Sequence, residues 1–390
     1  MKCHNKIKHF CGKHVFTFQG KCQRWIPVIF VIFTIIASYL IFNFQILEVV
    51  TKSYIRKQID IITITFLFIM YLWSFIKTMI TKSKEIPEVY RFSPEIVKLH
   101  QVSSSSINFD EITKKHVLHY DLPIQNRLVN GGFRYCNLCM IVKPDRTHHC
   151  STCNKCIPKF DHHCPWINNC VMFTNYKYFL LFLIYGTLLH LSLAINNIES
   201  IVDFISHKGS IKYRHVDTTI IICFTINFVI NFGSLVAIIS MLLWHLTLVG
   251  RNLTTNESYR SPFFTFGASK KEYNISLRHN FSEVFGSNIL LWFIPIWTSK
   301  GDGFIFKQKK YCKNDINTSG KKSTILDKNS TLKLAIDNHS SNDTNSKILE
   351  KKEINKKIET NDSCEVLNSS LTEESSTENS SISEQTNIET

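Results

Sequence analysis

Hydrophobic and polar positions divide the chain into long apolar runs separated by polar stretches. Four runs stand out, and they span Pro27–Leu47, Ile59–Ile80, Phe179–Ile195 and Thr218–Val249. An α-helix needs about 20 apolar residues to cross the hydrocarbon core of a bilayer, and each run is near or above that length. Helices buried in a soluble core are the alternative, but runs of this length with so few charges disfavour it. The pattern therefore predicts an all-α polytopic membrane protein with four transmembrane helices.

The polar stretches around these runs differ in composition. The residues before the first run are basic, and that run is too long for the hydrophobic region of a signal peptide, so we expect an uncleaved anchor. From about Lys313 the chain is rich in Asn, Ser, Lys, Glu and Thr, which predicts a disordered tail because little apolar area is available for burial. The predicted segments are a basic N-terminus (1–24), a transmembrane hairpin (25–80), a polar connector (81–130), a cysteine-rich domain (131–178), spans three and four (179–249), a C-terminal segment (250–312) and the tail (313–390).

The distribution of lysine and arginine predicts the orientation in the membrane. Six basic residues precede the first run, whereas the loops after the first and third runs hold three each. We therefore expect both termini and the segment 81–178 to face the cytosol, where thiols stay reduced. The net charge of +14 suits a surface beside anionic lipids of the cytosolic leaflet. No motif supports nucleic-acid binding, the competing use of such a charge.

Seven of the thirteen cysteines and four histidines lie between Phe133 and Phe179. Thiolates and imidazoles are zinc ligands, and cysteine pairs at C-x2-C spacing grip one ion from two sides. Two tetrahedral sites need eight ligands, so three of these eleven residues are left over. The pairing is ambiguous, because Cys150 with Cys153 and Cys153 with Cys156 both have this spacing. The eleven candidates are Cys136, Cys139, His148, His149, Cys150, Cys153, Cys156, His162, His163, Cys164 and Cys170.

The order and spacing of these residues resemble the DHHC protein S-acyltransferases. One departure is Met172, where the family usually has glycine. The resemblance extends over roughly residues 25–300, and it implies a small cytosolic two-zinc domain between spans two and three. The matching stretches are Cys136-x2-Cys139-x3-Lys143-Pro144-x-Arg146, His149-Cys150-x2-Cys153-x2-Cys156, Asp161-His162-His163-Cys164-x-Trp166, and Asn169-Cys170 followed by Asn175.

The resemblance implies a role for each of these side chains. Cys164 would be the nucleophile, His162 its base and Asp161 the group that orients the imidazole. This division is chemically reasonable, because a thiol with a pKa of ~8.5 needs a base to form the attacking thiolate. The implied ligands are Cys136, Cys139, His149 and Cys156 for one structural Zn²⁺, and Cys150, Cys153, His163 and Cys170 for the other.

Two further elements are interpreted through the same resemblance. Thr254-Thr255-Asn256-Glu257 alone fits a helix-capping box, but it is similar to the family's TTxE element, which implies a hydrogen bond from Thr255 to Asp161. The resemblance also places an acyl chain among the spans. Phe179 and Leu189 lie on one helical stripe of the third run, with Leu189 as the expected floor of that cavity. Packing of this stripe against a neighbouring helix is the alternative.

By resemblance, we expect a protein S-acyltransferase of the palmitoyltransferase type. It would move a fatty acyl group from acyl-CoA, with palmitoyl-CoA as co-substrate, to cysteines of cytosolic or membrane proteins that lie close to the bilayer. We expect an integral protein of the endomembrane system, with the Golgi favoured over the endoplasmic reticulum and plasma membrane. A zinc-dependent interaction module of the RING kind is a rival, but it leaves the four spans and Asp161-His162-x-Cys164 unexplained. A zinc hydrolase is disfavoured because the ligands fill both sites.

Overall fold

The computed structural model describes residues 23–45, 53–102, 108–206 and 218–309. The predicted tail (313–390) and nearly all of the basic N-terminus (1–24), including its three cysteines, lie outside the described residues. The helices are α1 (Ile26–Phe44), α2 (Tyr54–Ile80), α3 (Pro94–Val102), α4 (Phe109–His119), α5 (Tyr176–Ser206), α6 (Thr218–Gly250), α7 (Thr255–Tyr259) and α8 (Leu277–Phe285). The strands are β1 (Tyr135–Cys136), β2 (Ile141–Val142), β3 (His148–Cys150), β4 (Lys155–Ile157), β5 (His162–Cys164), β6 (Asn169–Val171), β7 (Phe263–Phe264) and β8 (Gly267–Ala268).

Four helices in the described part of the chain are long and apolar enough to cross a membrane: α1, α2, α5 and α6. This confirms the predicted fold class of a helical membrane protein with a cysteine-rich domain between spans two and three. Helix α5 packs against both α2 and α6 and is the most buried of the four. Because α5 follows the cysteine-rich domain almost directly, its first turns are held beside that domain.

The helix of the third span is longer than the apolar run Phe179–Ile195, because it continues to Ser206. Two asparagines follow the run, and α5 continues past them. The Asn197 side-chain oxygen accepts hydrogen bonds from Gln45, directly after α1, at 2.9 Å and from Asn227 of α6 at 3.4 Å. Polar residues are tolerated in such helices where they are paired with one another.

The connector between α2 and the cysteine-rich domain is more ordered than its polar composition suggests. It contains α3 and α4, and Asn108 caps the start of α4 because its side chain accepts a hydrogen bond from the Glu111 amide. Tyr90, Phe92 and Phe109 are buried there in a small apolar cluster. Helices this short contain too few apolar positions to produce a clear helical periodicity in the sequence.

The cysteine-rich domain consists of three two-stranded antiparallel hairpins, β1–β2, β3–β4 and β5–β6. The register pairs His149 with Cys156 and His163 with Cys170. Each pairing therefore places one histidine opposite one cysteine. Side chains of neighbouring positions on a strand point to opposite faces, so His149 and Cys150 in β3 face different surroundings, as do His162 and His163 in β5.

Candidate active site

Two clusters of three cysteines and one histidine form within the hairpins. In each cluster the possible ligand atoms all lie within 4.8 Å of one another. The first contains Cys136, Cys139, His149 and Cys156, and the second contains Cys150, Cys153, His163 and Cys170. The structure thus brings together the two sets implied by the family resemblance, and Cys153 belongs with Cys150.

The distances inside both clusters suit a tetrahedral zinc ion. Zinc bonds of about 2.3 Å to sulfur and about 2.05 Å to nitrogen require sulfur–nitrogen edges of about 3.6 Å. The three sulfurs of the first cluster lie 3.3, 3.6 and 3.9 Å from Nδ1 of His149. Those of the second lie 3.5, 3.6 and 3.7 Å from Nδ1 of His163. The residues therefore fit zinc with Nδ1 as the ligand atom of each histidine.

At two positions of these clusters the ionised form of cysteine is disfavoured without a cation. Burial raises the pKa of Cys156, and the neighbouring Cys136 raises it further. Burial and Cys153 raise the pKa of Cys170 in the same way. A divalent cation reverses this effect, since a coordinated thiol loses its proton. The donor set thus supports metal binding on chemical as well as geometric grounds.

Asp161 and His162 form a close pair at the start of β5. The Nδ1 atom of His162 lies 2.7 Å from Oδ2 of Asp161, and Asp161 is buried. His162 and Cys164 are two positions apart on the strand, so both side chains leave the same face, while His163 leaves the opposite face toward the second cluster. The buried Nε2 atom of His162 has no hydrogen-bond partner of ordinary geometry among the described residues.

The electrostatics of this pair favour a charged histidine. Burial lowers the pKa of His162, but its interactions with Asp161 and Cys164 outweigh that effect and raise the pKa to about 9. Burial raises the pKa of Asp161, yet the hydrogen bond and charge of His162 and the hydroxyl of Thr255 bring it below its ordinary value. Asp161 can therefore remain ionised whether the neighbouring His162 is protonated or neutral.

Thr255 lies at the first position of α7 and faces Asp161. Its backbone N–H donates to Asp161 Oδ1 at 2.9 Å, and its hydroxyl donates to Oδ2 at 2.7 Å. Helix α7 begins with a capping box in which Thr254 and Glu257 bond to each other's backbone amides. The TTxE stretch therefore forms the capping box expected from its residues and also contacts Asp161.

A buried ion pair joins α7 to the cysteine-rich domain. Arg146 donates two hydrogen bonds to Glu257, at 2.7 and 2.8 Å, and two more to Asn252. Its guanidinium also lies over the ring of Tyr273, 4.5 Å from the centroid. Sequence reasoning gave Arg146 and Glu257 no role beyond their motifs, because their partners are more than a hundred positions away in the chain.

His245 of α6 lies unexpectedly close to the Asp161–His162 pair. Its ring centroid is 5.7 Å from that of His162 and 4.9 Å from that of Phe179. Its Nδ1 atom is 3.0 Å from the Tyr176 hydroxyl, and its buried Nε2 atom has no partner among the described residues. The sequence offered no sign of this proximity, because His245 and His162 are far apart in the chain.

Phe179 and Leu189, the predicted cavity residues, are both buried on α5. Phe179 contacts the catalytic end, and its ring meets that of His162 edge-on at 5.6 Å. Between the two residues, a Cβ atom on Gly186 would lie 3.1 Å from the ring of Tyr71 in α2. The stripe therefore faces α2, next to the pair formed by Asp161 and His162.

Comparison with known proteins agrees with this architecture. The family model described as DHHC palmitoyltransferase matches residues 129–262. The chain is 33% identical over 288 residues to palmitoyltransferase ZDHHC20-A of Danio rerio, covering 73% of this chain and 78% of the relative. It is 34% identical over 291 residues to palmitoyltransferase ZDHHC2 of Homo sapiens, covering 74% and 77%. The chain therefore belongs to the DHHC palmitoyltransferase family and is an integral-membrane protein S-acyltransferase.

Proposed function

We propose that Cys164 transfers a fatty acyl group from acyl-CoA to protein cysteines in two steps. In the first, the Cys164 thiolate attacks the thioester carbonyl, the bond from carbonyl carbon to CoA sulfur breaks, and CoA leaves with the proton that His162 held. In the second, His162 takes the proton of a substrate cysteine, whose sulfur attacks the Cys164 thioester. Cys164 leaves as a thiolate and the free enzyme is restored. A covalent intermediate divides one transfer into two easier steps.

The main support for these roles is the unpaired Nε2 atom of His162. Asp161 holds the Nδ1 side of the ring at 2.7 Å, so Nε2 is left for exchange of a proton with sulfur on the Cys164 face of β5. Thr255 binds both oxygens of Asp161 and thereby keeps the carboxylate ionised and aimed. The same division of labour, with a carboxylate orienting a histidine base, recurs in unrelated enzymes with activated nucleophiles.

We assign structural roles to both zinc sites. Each would have four protein ligands and hence no open position for a substrate or an activated water. Zinc, when bound, supplies folding free energy to three short hairpins with little apolar core. The ligands would be Cys136, Cys139, His149 and Cys156 in one site, and Cys150, Cys153, His163 and Cys170 in the other.

We assign a positioning role to His245 and Tyr176. If the Tyr176 hydroxyl donates to Nδ1, the proton of the neutral imidazole is on Nε2, the side of the ring without a protein partner. The His245 ring then packs against both Phe179 and His162 and limits rotation of the His162 ring. His245 thus acts through His162 and makes no bond to the acyl group.

The acyl chain would lie along α5, with Phe179 near its thioester end and Leu189 at its far end. These residues are ten positions apart, or about 15 Å along a helix, close to the length of a sixteen-carbon chain. The protein substrates would be cytosolic or membrane proteins with cysteines near the bilayer, because the reacting sulfur lies close to the start of α5.

Both termini and the cysteine-rich domain would face the cytosol, and we favour the Golgi among the endomembranes.

Labelling of the purified chain with radioactive palmitoyl-CoA tests the proposal. We expect one acyl group on the cysteine-rich domain, released by neutral hydroxylamine as a thioester is, and transferred to an added cysteine peptide. A zinc-dependent interaction module would bind zinc and take up no label. Label on a residue other than Cys164 would contradict the assignment of the nucleophile.

A further inference from the structure

One apolar segment, which follows α8, belongs to none of the four predicted spans. The residues Ile289–Trp297 are all apolar, and no charged residue occurs between Glu283 and Lys300. This segment is much shorter than the roughly 20 residues of a transmembrane helix, and short apolar runs of this kind are typical of core, interfacial or re-entrant segments. Its contacts distinguish among these possibilities.

The segment runs alongside the first turns of α5. The Lys177 ammonium donates to the carbonyls of Leu291 and Ile296, at 2.8 and 3.1 Å, and to the Thr298 hydroxyl at 2.7 Å. Further along α5, the Tyr185 hydroxyl donates to the Phe293 carbonyl at 2.6 Å. The ends of the segment are thus held at the level of Lys177, and its middle is held by a residue deeper in the span.

The position of Tyr185 on α5 indicates the depth that the segment reaches. No Asp, Glu, Lys or Arg lies between Lys177 and Glu199, and a helical stretch of this length matches the hydrocarbon core of about 30 Å. Tyr185 lies about 12 Å along this stretch. Helical side chains point back toward the N-terminus, so Phe293 lies near the boundary between headgroups and acyl chains.

Protein groups satisfy several backbone carbonyls of the segment, as irregular structure at that depth requires. A carbonyl without a partner is costly in lipid, so non-helical backbone is tolerated there only where protein groups satisfy it. Three carbonyls of the segment accept hydrogen bonds from Lys177 and Tyr185, and Lys177 is only 1% exposed. A loop in water has no need of a buried ammonium for this purpose.

The outer face of the segment is apolar. Leu290 is 82% exposed, and large apolar side chains beside it are exposed as well. Contiguous apolar surface of this kind is uncommon on parts of proteins that face water. The segment ends at Trp297, and Lys300 comes three positions later; tryptophan and lysine are both typical of the membrane–water interface. The exposed residues are Ile289, Leu290, Phe293, Ile296 and Trp297.

We infer that Ile289–Trp297 inserts into the membrane interface beside α5 and that the bilayer covers its outer face. The occupant follows from continuity with a membrane-spanning helix. Three hydrogen bonds tie the segment to α5, and a fourth ties Thr298, the residue that follows the segment, to the same helix. The segment is also connected to the region of the active site through α8, the helix that precedes it. Glu283 of α8 binds Lys159 at 2.7 Å and Asn252, shortly before the TTxE stretch, at 2.8 Å.

Photo-crosslinking of the full chain in phosphatidylcholine–phosphatidylserine nanodiscs tests this inference. A benzophenone amino acid replaces Leu290, with Val229 of α6 as the lipid-facing reference and Val129, 84% exposed in the connector, as the matched control. We expect phospholipid adducts at 290 that approach the yield at 229 and exceed the yield at 129 at least tenfold. Zinc content identifies any variant that has not folded.

Two results would overturn the inference. One is a phospholipid yield at position 290 no higher than at position 129. The other is a dominant adduct between position 290 and a protein chain, which would make the segment a docking surface for a partner. Neither result bears on acyl transfer, so the inference fails independently of the proposed function.

Discussion

Replacement of Thr255 by valine isolates one hydrogen bond of the proposed catalytic group. Valine has nearly the same shape as threonine but lacks the hydroxyl that donates to Asp161 Oδ2 at 2.7 Å. The backbone N–H of residue 255, which donates to Oδ1 at 2.9 Å, stays in place. Thr255→Ser keeps both donors and is the matched control.

The size of the effect follows from the charge on Asp161. A hydrogen bond to a charged group contributes about 1.5–3 kcal/mol. Since each 1.36 kcal/mol corresponds to a factor of about ten in rate, complete loss would slow the reaction roughly 10- to 150-fold. The remaining backbone donor limits the misplacement of Asp161, so we expect about a tenfold decrease for Thr255→Val and less than about twofold for Thr255→Ser.

Single-turnover acylation is the assay that measures this step. The rate of hydroxylamine-sensitive labelling at saturating palmitoyl-CoA should fall in Thr255→Val, while zinc content and the concentration for half-maximal rate stay unchanged. An unaltered rate would show that the hydroxyl has no catalytic consequence. Loss of zinc in this variant would indicate a structural defect and would contradict the expectation that Thr255 acts only on Asp161.

Three other substitutions test separate parts of the account. His163→Ala should lose zinc and become protease-sensitive, because an open metal site loses folding free energy; His148→Ala, outside both clusters, should retain its metal and its fold. His245→Phe should lower the labelling rate about tenfold without changing zinc content, since the buried Tyr176 hydroxyl loses its partner and His162 gains freedom, and His245→Gln should restore part of the rate. Leu189→Trp should shift preference toward shorter acyl-CoAs in competition among fourteen-, sixteen- and eighteen-carbon chains, and Leu189→Ala toward longer ones.

Each of these has a contradicting outcome. A folded His163→Ala protein that keeps all its zinc would exclude His163 as a ligand. Equal rates in His245→Phe and the parent would reduce His245 to a packing residue. Identical chain-length selectivity in both Leu189 variants would remove Leu189 from the acyl cavity.

Much of the site could be predicted because many of its residues are close together in the sequence. The hairpins are short, and ligands such as His149 and Cys156 are a few positions apart and face each other in register. The choice among Cys150, Cys153 and Cys156 was different, because two pairings have the same spacing. The strand register distinguishes the two pairings, and the spacing of the cysteines does not determine that register.

Interactions over long distances in the chain left little sequence signal. Arg146 meets Glu257, and His162 meets His245, only because α5 and α6 return the chain to the cysteine-rich domain. The apolar segment after α8 was missed for another reason: a search by length finds spanning helices, and Ile289–Trp297 is too short to be one. Its position became apparent from the hydrogen bonds of Lys177 and Tyr185.

The most direct test of the central claim is a paired measurement on Cys164→Ser. Cys164 belongs to neither of the two zinc clusters, which consist of eight other residues. We therefore expect no hydroxylamine-sensitive label from palmitoyl-CoA and no transfer to a peptide, with the same zinc content as the parent chain. Retention of a thioester label would place the nucleophile elsewhere, and loss of one zinc would make Cys164 a ligand.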